Sequence, residues 1–165
     1  DNQIMNDSGK IKAVTSSNGY KLVTVSGAGM DNGMNVSARI LNGIVDAGVN
    51  VSMIIESSSE QSLCLPIPIK DVEKVTRILK DILEREISRM DIEDIEISET
   101  VDIITVICPG LKQNPIIIAK VLNQLDEKGF KIKALSYGAS DVSLNIIITS
   151  NDTKEALKTI HELIN

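Results

Sequence analysis

The chain repeats itself once. Shifted by 81 positions without a gap, Leu22-Val23-Thr24-Val25 falls on Ile103-Ile104-Thr105-Val106, Gly29 on Gly110, Ala38 on Ala119 and Arg39 on Lys120. The same shift puts Leu41-Asn42 on Leu122-Asn123, Gly48 on Gly129, Val51 on Ile132, Ser62-Leu63 on Ser143-Leu144 and Asp71 on Asp152. Agreement spread over glycines, polar residues and apolar positions is the mark of a tandem duplication. Two small modules are therefore expected rather than one medium domain. Each is near the size at which a single core is marginal, so each should lean on a neighbour or on another chain.

The first copy reads as strand Tyr20–Ser26, helix Met34–Ala47, strand Val49–Ser57 and strand Gln61–Ile69. A helix Asp71–Arg89 and a strand Asp91–Ser98 follow. Val36, Ile40, Leu41, Ile44 and Val45 recur at helical spacing, and Gly48 marks that helix's end. Val72, Val75, Ile78, Leu79, Ile82 and Leu83 form the stripe of the next helix, with Asp71 as its candidate N-cap. Pro66 and Pro68 mark the end of their strand as an edge or an exit. The order βαββαβ is that of an α+β, ferredoxin-like module with helices on one face of an antiparallel sheet. The second copy runs strand Val101–Cys108, helix Pro115–Lys128, strands Phe130–Tyr137 and Val142–Ser150, and helix Asp152–Ile164. It ends one strand short. Ile11–Thr15, an extended run before a turn at Ser16-Ser17-Asn18-Gly19, is the candidate to fill that place. The expected division is 20–99 for the first module and 8–19 with 100–165 for the second.

Charge and aromatic content narrow the function. A net charge of −6 and only three aromatics (Tyr20, Phe130, Tyr137) offer neither a basic patch nor a stacking platform, which argues against nucleic acid. No apolar run approaches membrane-spanning length, so a soluble, cytoplasmic protein without a membrane partner is expected. The opening on Asp1 without an initiator methionine points to a piece of a longer protein. Cys64 and Cys108 lie in strand-like runs and read as buried free thiols of a reducing compartment, lacking metal-site spacing. His161 reads as a surface residue, and the acidic run Glu84–Glu99 as a solvated face rather than a metal site.

The loop Ser26-Gly27-Ala28-Gly29-Met30-Asp31-Asn32-Gly33 stands between a strand and a helix. It is not a dinucleotide fingerprint, because GAGMDNG departs from GxGxxG. Amides of Gly29, Met30, Asp31, Asn32, Gly33, Met34, Asn35 and Val36 at a helix start suit a carboxylate, since orphan N–H groups and the helix dipole both favour an anion. The alternative is that the glycines simply make a tight turn.

Val25-Ser26-Gly27-Ala28-Gly29-Met30, Ser37-Ala38-Arg39 and Glu56-Ser57-Ser58-Ser59-Glu60 resemble the regulatory region of aspartate kinase. That family carries VSGxGM, an AAR-like segment and QSSSE in a pair of ACT domains, and the resemblance covers essentially the whole chain. It implies a strand before the first ACT domain that completes the second. It also implies a parent enzyme that uses ATP and Mg to phosphorylate the β-carboxylate of aspartate, a kinase domain as covalent partner, and pairing of two chains through the first ACT domain. The effector would be an end-product amino acid, lysine or threonine, bound at that seam. No catalytic residues and no cofactor are expected in this region itself.

Matched to the family, the effector contacts fall on the glycine loop, Ser52, Ile54, Glu56, Ser57, Ser58 and Ser59. Glu56 replaces the usual Gln; a carboxylate only accepts hydrogen bonds and favours an effector's ammonium or a cationic side chain. As a plainer alternative it is a solvated strand-end carboxylate. Ser52 sits where lysine-inhibited relatives tend to carry Asp. In the second copy Gly27 becomes Cys108 and Glu56 becomes Tyr137, and Pro109 and Pro115 stiffen the loop, so the first module is the expected effector site. Two rival readings are an amino-acid sensor in a non-kinase protein and a dimerisation module that has lost its ligand.

Overall fold

In the computed structural model, residues 9–31, 34–57, 61–137 and 142–164 are described. The chain forms two compact units, one of Gly19–Thr100 and one that joins the segment through Asn18 to Val101 and beyond. We call them the first and second modules. The strands are β1 (Ala13–Ser26), β2 (Ile55–Ser57), β3 (Ser62–Pro68), β4 (Asp94–Ile107), β5 (Ile132–Tyr137) and β6 (Ser143–Thr149). The helices are α1 (Met34–Asp46), α2 (Val72–Ile82), α3 (Glu84–Ser88), α4 (Ile116–Glu127) and α5 (Thr153–His161). Both unit boundaries fall inside strands, within β1 and within β4. The first module has strand order β2-β3-β1-β4 and the second β1-β4-β6-β5.

The 81-residue repeat holds in three dimensions. β1 pairs antiparallel with β3 so that Thr24 faces Cys64 and Val25 faces Leu63; β4 pairs with β6 so that Thr105 faces Asn145 and Val106 faces Leu144. Even side-chain bonds recur: the Thr24 hydroxyl donates to Cys64 Sγ at 3.3 Å, and the Thr105 hydroxyl donates to Asn145 Oδ1 at 2.8 Å. The cores match as well. Val23, Val25, Ile40, Ile44, Leu63, Leu65, Ile67 and Leu79 are buried together in the first module. Their counterparts Ile104, Val106, Val121, Leu125, Leu144, Ile146, Ile148 and Ile160 are buried together in the second. Within each module, alternate strand residues supply one side of its core and helix stripes the other, which sets that module's helices on one face of its own strands.

Tertiary context overrides the sequence-based expectation in several places. No turn forms at Ser16–Gly19; β1 runs straight through, with Gly19 alone at φ +87°. The ladder with β4 outweighs local turn preference, and the predicted strands Asp91–Ser98 and Val101–Cys108 are likewise one strand. Strand Val49–Ser57 contracts to the three residues of β2. Extending its register past Ile55↔Cys64 would set Met53 against Pro66, which has no N–H to offer. The predicted helix Asp71–Arg89 breaks at Leu83 into α2 and α3. Asp71 makes no side-chain capping bond and lies instead 3.9 Å from Lys74. Val45, placed on the apolar stripe of α1 by spacing, is 60% exposed. Gly48 does end that region in the left-handed conformation, at φ +77°.

Both cysteines are free, and burial pushes both thiols up from their ordinary range; the Thr24 hydrogen bond partly offsets this at Cys64.

Candidate functional site

The glycine loop is built first for backbone approach. Gly27 sits at φ +144°, and a Cβ there would lie 2.4 Å from the Asp91 carbonyl oxygen. Only glycine fits. The Gly29 amide donates to that same oxygen at 2.7 Å, and the Met30 amide donates to Gly27 O at 3.0 Å. Met30 and Val36 are both buried in the core. Of the residues expected to meet an effector, Gly29, Met30 and Val36 thus serve the fold through these groups. Gly27 and Gly29 both pack against the Asp91 backbone. Asp31 closes a short 3-10 turn, Ala28–Asp31, and Met34 opens α1. Asn32, Gly33, Ser58 and Ser59 lie outside the described residues.

What the fold brings together is the start of α1 and the edge strand β2. Glu56 is opposite Leu63, a core residue, so its side chain leaves the sheet on the helix face. There the Ser37 hydroxyl donates to Glu56 Oε1 at 3.1 Å. Ser37 is buried (3% exposed), whereas Glu56 is exposed. Among the described residues Glu56 makes no ion pair. Asn35, Ser52 and Ile54 are exposed nearby in sequence, Ile54 at 46%. Ser57 faces Ser62 and ends the ladder.

Ser37 is the residue that sequence reasoning missed. A signal was present: it interrupts the apolar stripe three residues before Ile40 and stands where the AAR-like segment has alanine. Two residues on, Arg39 makes a second polar link. Its Nη1 donates to Glu86 Oε1 and its Nη2 to Ile82 O, with Nη2 also 3.5 Å from Glu86 Oε2. Arg39 thereby satisfies a carbonyl in the last turn of α2 and holds α3 in place. The Arg39 hydrogen bond holds the Glu86 carboxyl below the usual carboxylate range, against the opposing effect of burial.

The second module lacks the first of these links. The equivalents of Ser37 and Glu56 are Ile118 and Tyr137. Its own polar cluster is elsewhere: buried Asp102 accepts from Ser150 Oγ at 2.9 Å and from Thr153 Oγ1 at 2.6 Å, at the start of α5. Among the described residues, no group of three or more His, Cys, Asp or Glu side chains is placed to hold a metal ion.

Residues 23–83 and 104–163 each match the ACT domain family, one match per module. The chain belongs to the ACT domain family. The two matched ACT stretches begin 81 residues apart, the spacing of the internal repeat. Among curated proteins, the ACT pair is 28% identical over 164 residues to the bifunctional aspartokinase/homoserine dehydrogenase of Haemophilus influenzae. That similarity covers 99% of this chain and 20% of the relative, so the chain spans about a fifth of that protein's length. Among solved structures, the regulatory subunit of aspartate kinase from Thermus flavus superposes with a TM-score of 0.79 at 16% identity, covering 93% of this chain and 98% of that one. E. coli aspartokinase III in complex with lysine and aspartate superposes with a TM-score of 0.68 at 20% identity, covering 94% of this chain and 33% of that one. The fold is the tandem ferredoxin-like ACT arrangement of aspartokinase regulatory regions.

Proposed function

We propose that this chain is the allosteric regulatory region of a cytoplasmic aspartate kinase. Its first module binds an end-product amino acid of the aspartate pathway, lysine or threonine, at a seam where two chains pair. Binding turns down phosphorylation of aspartate by ATP in the kinase part of the parent protein. ATP and magnesium belong to that part, and this region uses no cofactor of its own. Among the described residues no helix is long and apolar enough to cross a membrane.

The observation that carries the reading is the polar pair Ser37–Glu56, at the start of α1 and on the edge strand of the first module only. It supplies an acceptor for an ammonium beside a helix N-terminus that favours a carboxylate. The aspartokinase similarity over nearly the whole chain, and the lysine-bound state of one structural neighbour, support the choice of ligand class. Regulation then needs two pairing geometries with different affinities for the effector. The second module, with Ile118 and Tyr137 at the equivalent places, has a structural or kinase-facing role.

The test is the melting temperature of the chain with lysine, threonine, methionine or buffer alone, with its mass in solution measured alongside. A ligand at about 100 times its Kd stabilises the folded form by about 2.7 kcal/mol, an upward shift of several degrees. A shift with one amino acid identifies the effector. A folded dimer that shifts with none leaves a dimerisation module and removes the sensor reading.

A further inference from the structure

We infer that the corner of the first module between β1, α2 and β4 is a binding site for a small carboxylate with an aliphatic chain, Lys21 and Arg77 meeting its head and Ile69, Val72 and Ile97 its tail. The inference is separate from the amino-acid reading. Every residue lining this groove lies in the first module, and none belongs to the glycine loop, to the start of α1 or to β2.

The 81-residue repeat shows what is unusual here. In the second module the same corner is closed from within: buried Asp102 accepts from Ser150 Oγ at 2.9 Å and from Thr153 Oγ1 at 2.6 Å. That module carries its own carboxylate and the donors that hold it. At the same three positions the first module has Lys21, Ile69 and Val72. A cation stands in place of the anion, and two apolar side chains in place of the hydroxyls. Lys21 is opposite the core residue Ile67 and shares a strand face with Val23 and Val25, so its side chain leaves the sheet on the helix side. A groove of about 710 Å³ lies there beside α2, within the range of about 300–1,000 Å³ typical of small-molecule sites.

Two chemistries meet in its lining. Ile69, in the turn before α2, is 44% exposed, and Ile97 on β4 is 40% exposed. With Val72 they leave apolar surface in water that an aliphatic chain would cover. Lys21, Arg77 and Lys80 line the same groove, and none of the three has a side-chain hydrogen bond or ion pair among the described residues. Cations beside apolar surface, with no anion of their own, are satisfied by a carboxylate that arrives with its tail. Glu73 and Asp81 are also in the lining. Three cations against two carboxylates leave the groove at +1 on a chain of net charge −6, which favours one anionic head over a cationic one.

The experiment is an amide-shift NMR titration of the isotope-labelled chain with sodium hexanoate, with hexanamide, which keeps the tail and lacks the charge, and with acetate, which keeps the head and lacks the tail. Hexanoate should move the amide signals of Ile69, Val72 and Ile97 and bind about tenfold tighter than either control. Lys21→Asp, which installs the second module's residue, should weaken hexanoate by about tenfold or more and leave hexanamide unchanged. Lys21→Ala, which adds no charge, should weaken hexanoate severalfold and keeps the test open if Lys21→Asp does not fold. Equal binding of hexanoate and hexanamide, signals that move only at the start of α1 and in β2, a hexanoate affinity untouched by either substitution, or no binding of hexanoate overturns the inference. Each of these outcomes leaves the amino-acid site to its own test.

Discussion

The two modules are the same fold at the same register with different polar residues at corresponding corners. The first has Ser37 and Glu56 joining α1 to its edge strand; the second has Ile118 and Tyr137 there. The second has Asp102 holding Ser150 and Thr153 at the start of its last helix; the first has Lys21, Ile69 and Val72 in those places. Arg39 grips Glu86 beyond the end of α2, and its counterpart in the second module is Lys120. Apolar positions have been held in common because either core collapses without them. The two modules differ instead at these polar positions.

The comparison is broken most severely in the shared core. Ile44 and Leu125 occupy equivalent, fully buried positions. Ile44→Ala and Leu125→Ala should each cost about 2–5 kcal/mol in urea unfolding, from lost burial and the cavity left behind. A large cost at one and none at the other would show that the cores are not equivalent.

Next comes the loop. Gly27→Cys installs the second module's residue in the first. It should destabilise by roughly 1–3 kcal/mol or more, because φ +144° is strained for any side chain and the Asp91 carbonyl occupies the space. Removing the second module's own cluster with Asp102→Ala leaves two hydroxyls at the α5 start without their acceptor, at a cost of about 1–3 kcal/mol. Lys21→Ala, the same position in the first module, should stay within about 0.5 kcal/mol of wild type. A cost at Lys21 matching that at Asp102 would erase the contrast.

The smallest effect concerns the ion pair. Glu86 has its folded-state carboxyl pKa depressed by Arg39, so its contribution is present above the unfolded glutamate pKa, about 4.3, and is lost as pH falls through the folded value. Arg39 is 37% exposed, and solvent screening keeps the contribution below about 1 kcal/mol. Glu86→Gln should lower stability by about that much at pH 7 and by progressively less towards pH 3. A constant difference across that range would mean that packing of α3, not charge, holds the corner.

Much of the architecture was legible in the chain. The repeat, the βαββαβ order, the apolar stripes around Ile40 and Leu79 and the left-handed stop at Gly48 all follow from local periodicity and glycine chemistry. The site was legible only in part. Glu56 stood out because it replaced a glutamine, but its partner Ser37 did not, since a serine in a helix carries no local instruction about what it will touch. Gly29, Met30 and Val36 have packing and backbone roles that local sequence does not announce, because a glycine loop that cradles a ligand and one that meets neighbouring backbone read alike along the chain.

By itself, then, the sequence determined what depends on near neighbours: where helices run, which faces are apolar, and that one module was copied. Only the tertiary structure decided what depends on distant ones. Ladder pairing overrode the turn signal at Ser16–Gly19, Pro66 shortened a strand that it is not part of, and the fold set Ser37 against Glu56 and Arg39 against Glu86. Hydrogen bonds and ion pairs act over a few ångströms whatever the separation along the chain, so their partners are known only once the backbone has brought them within reach.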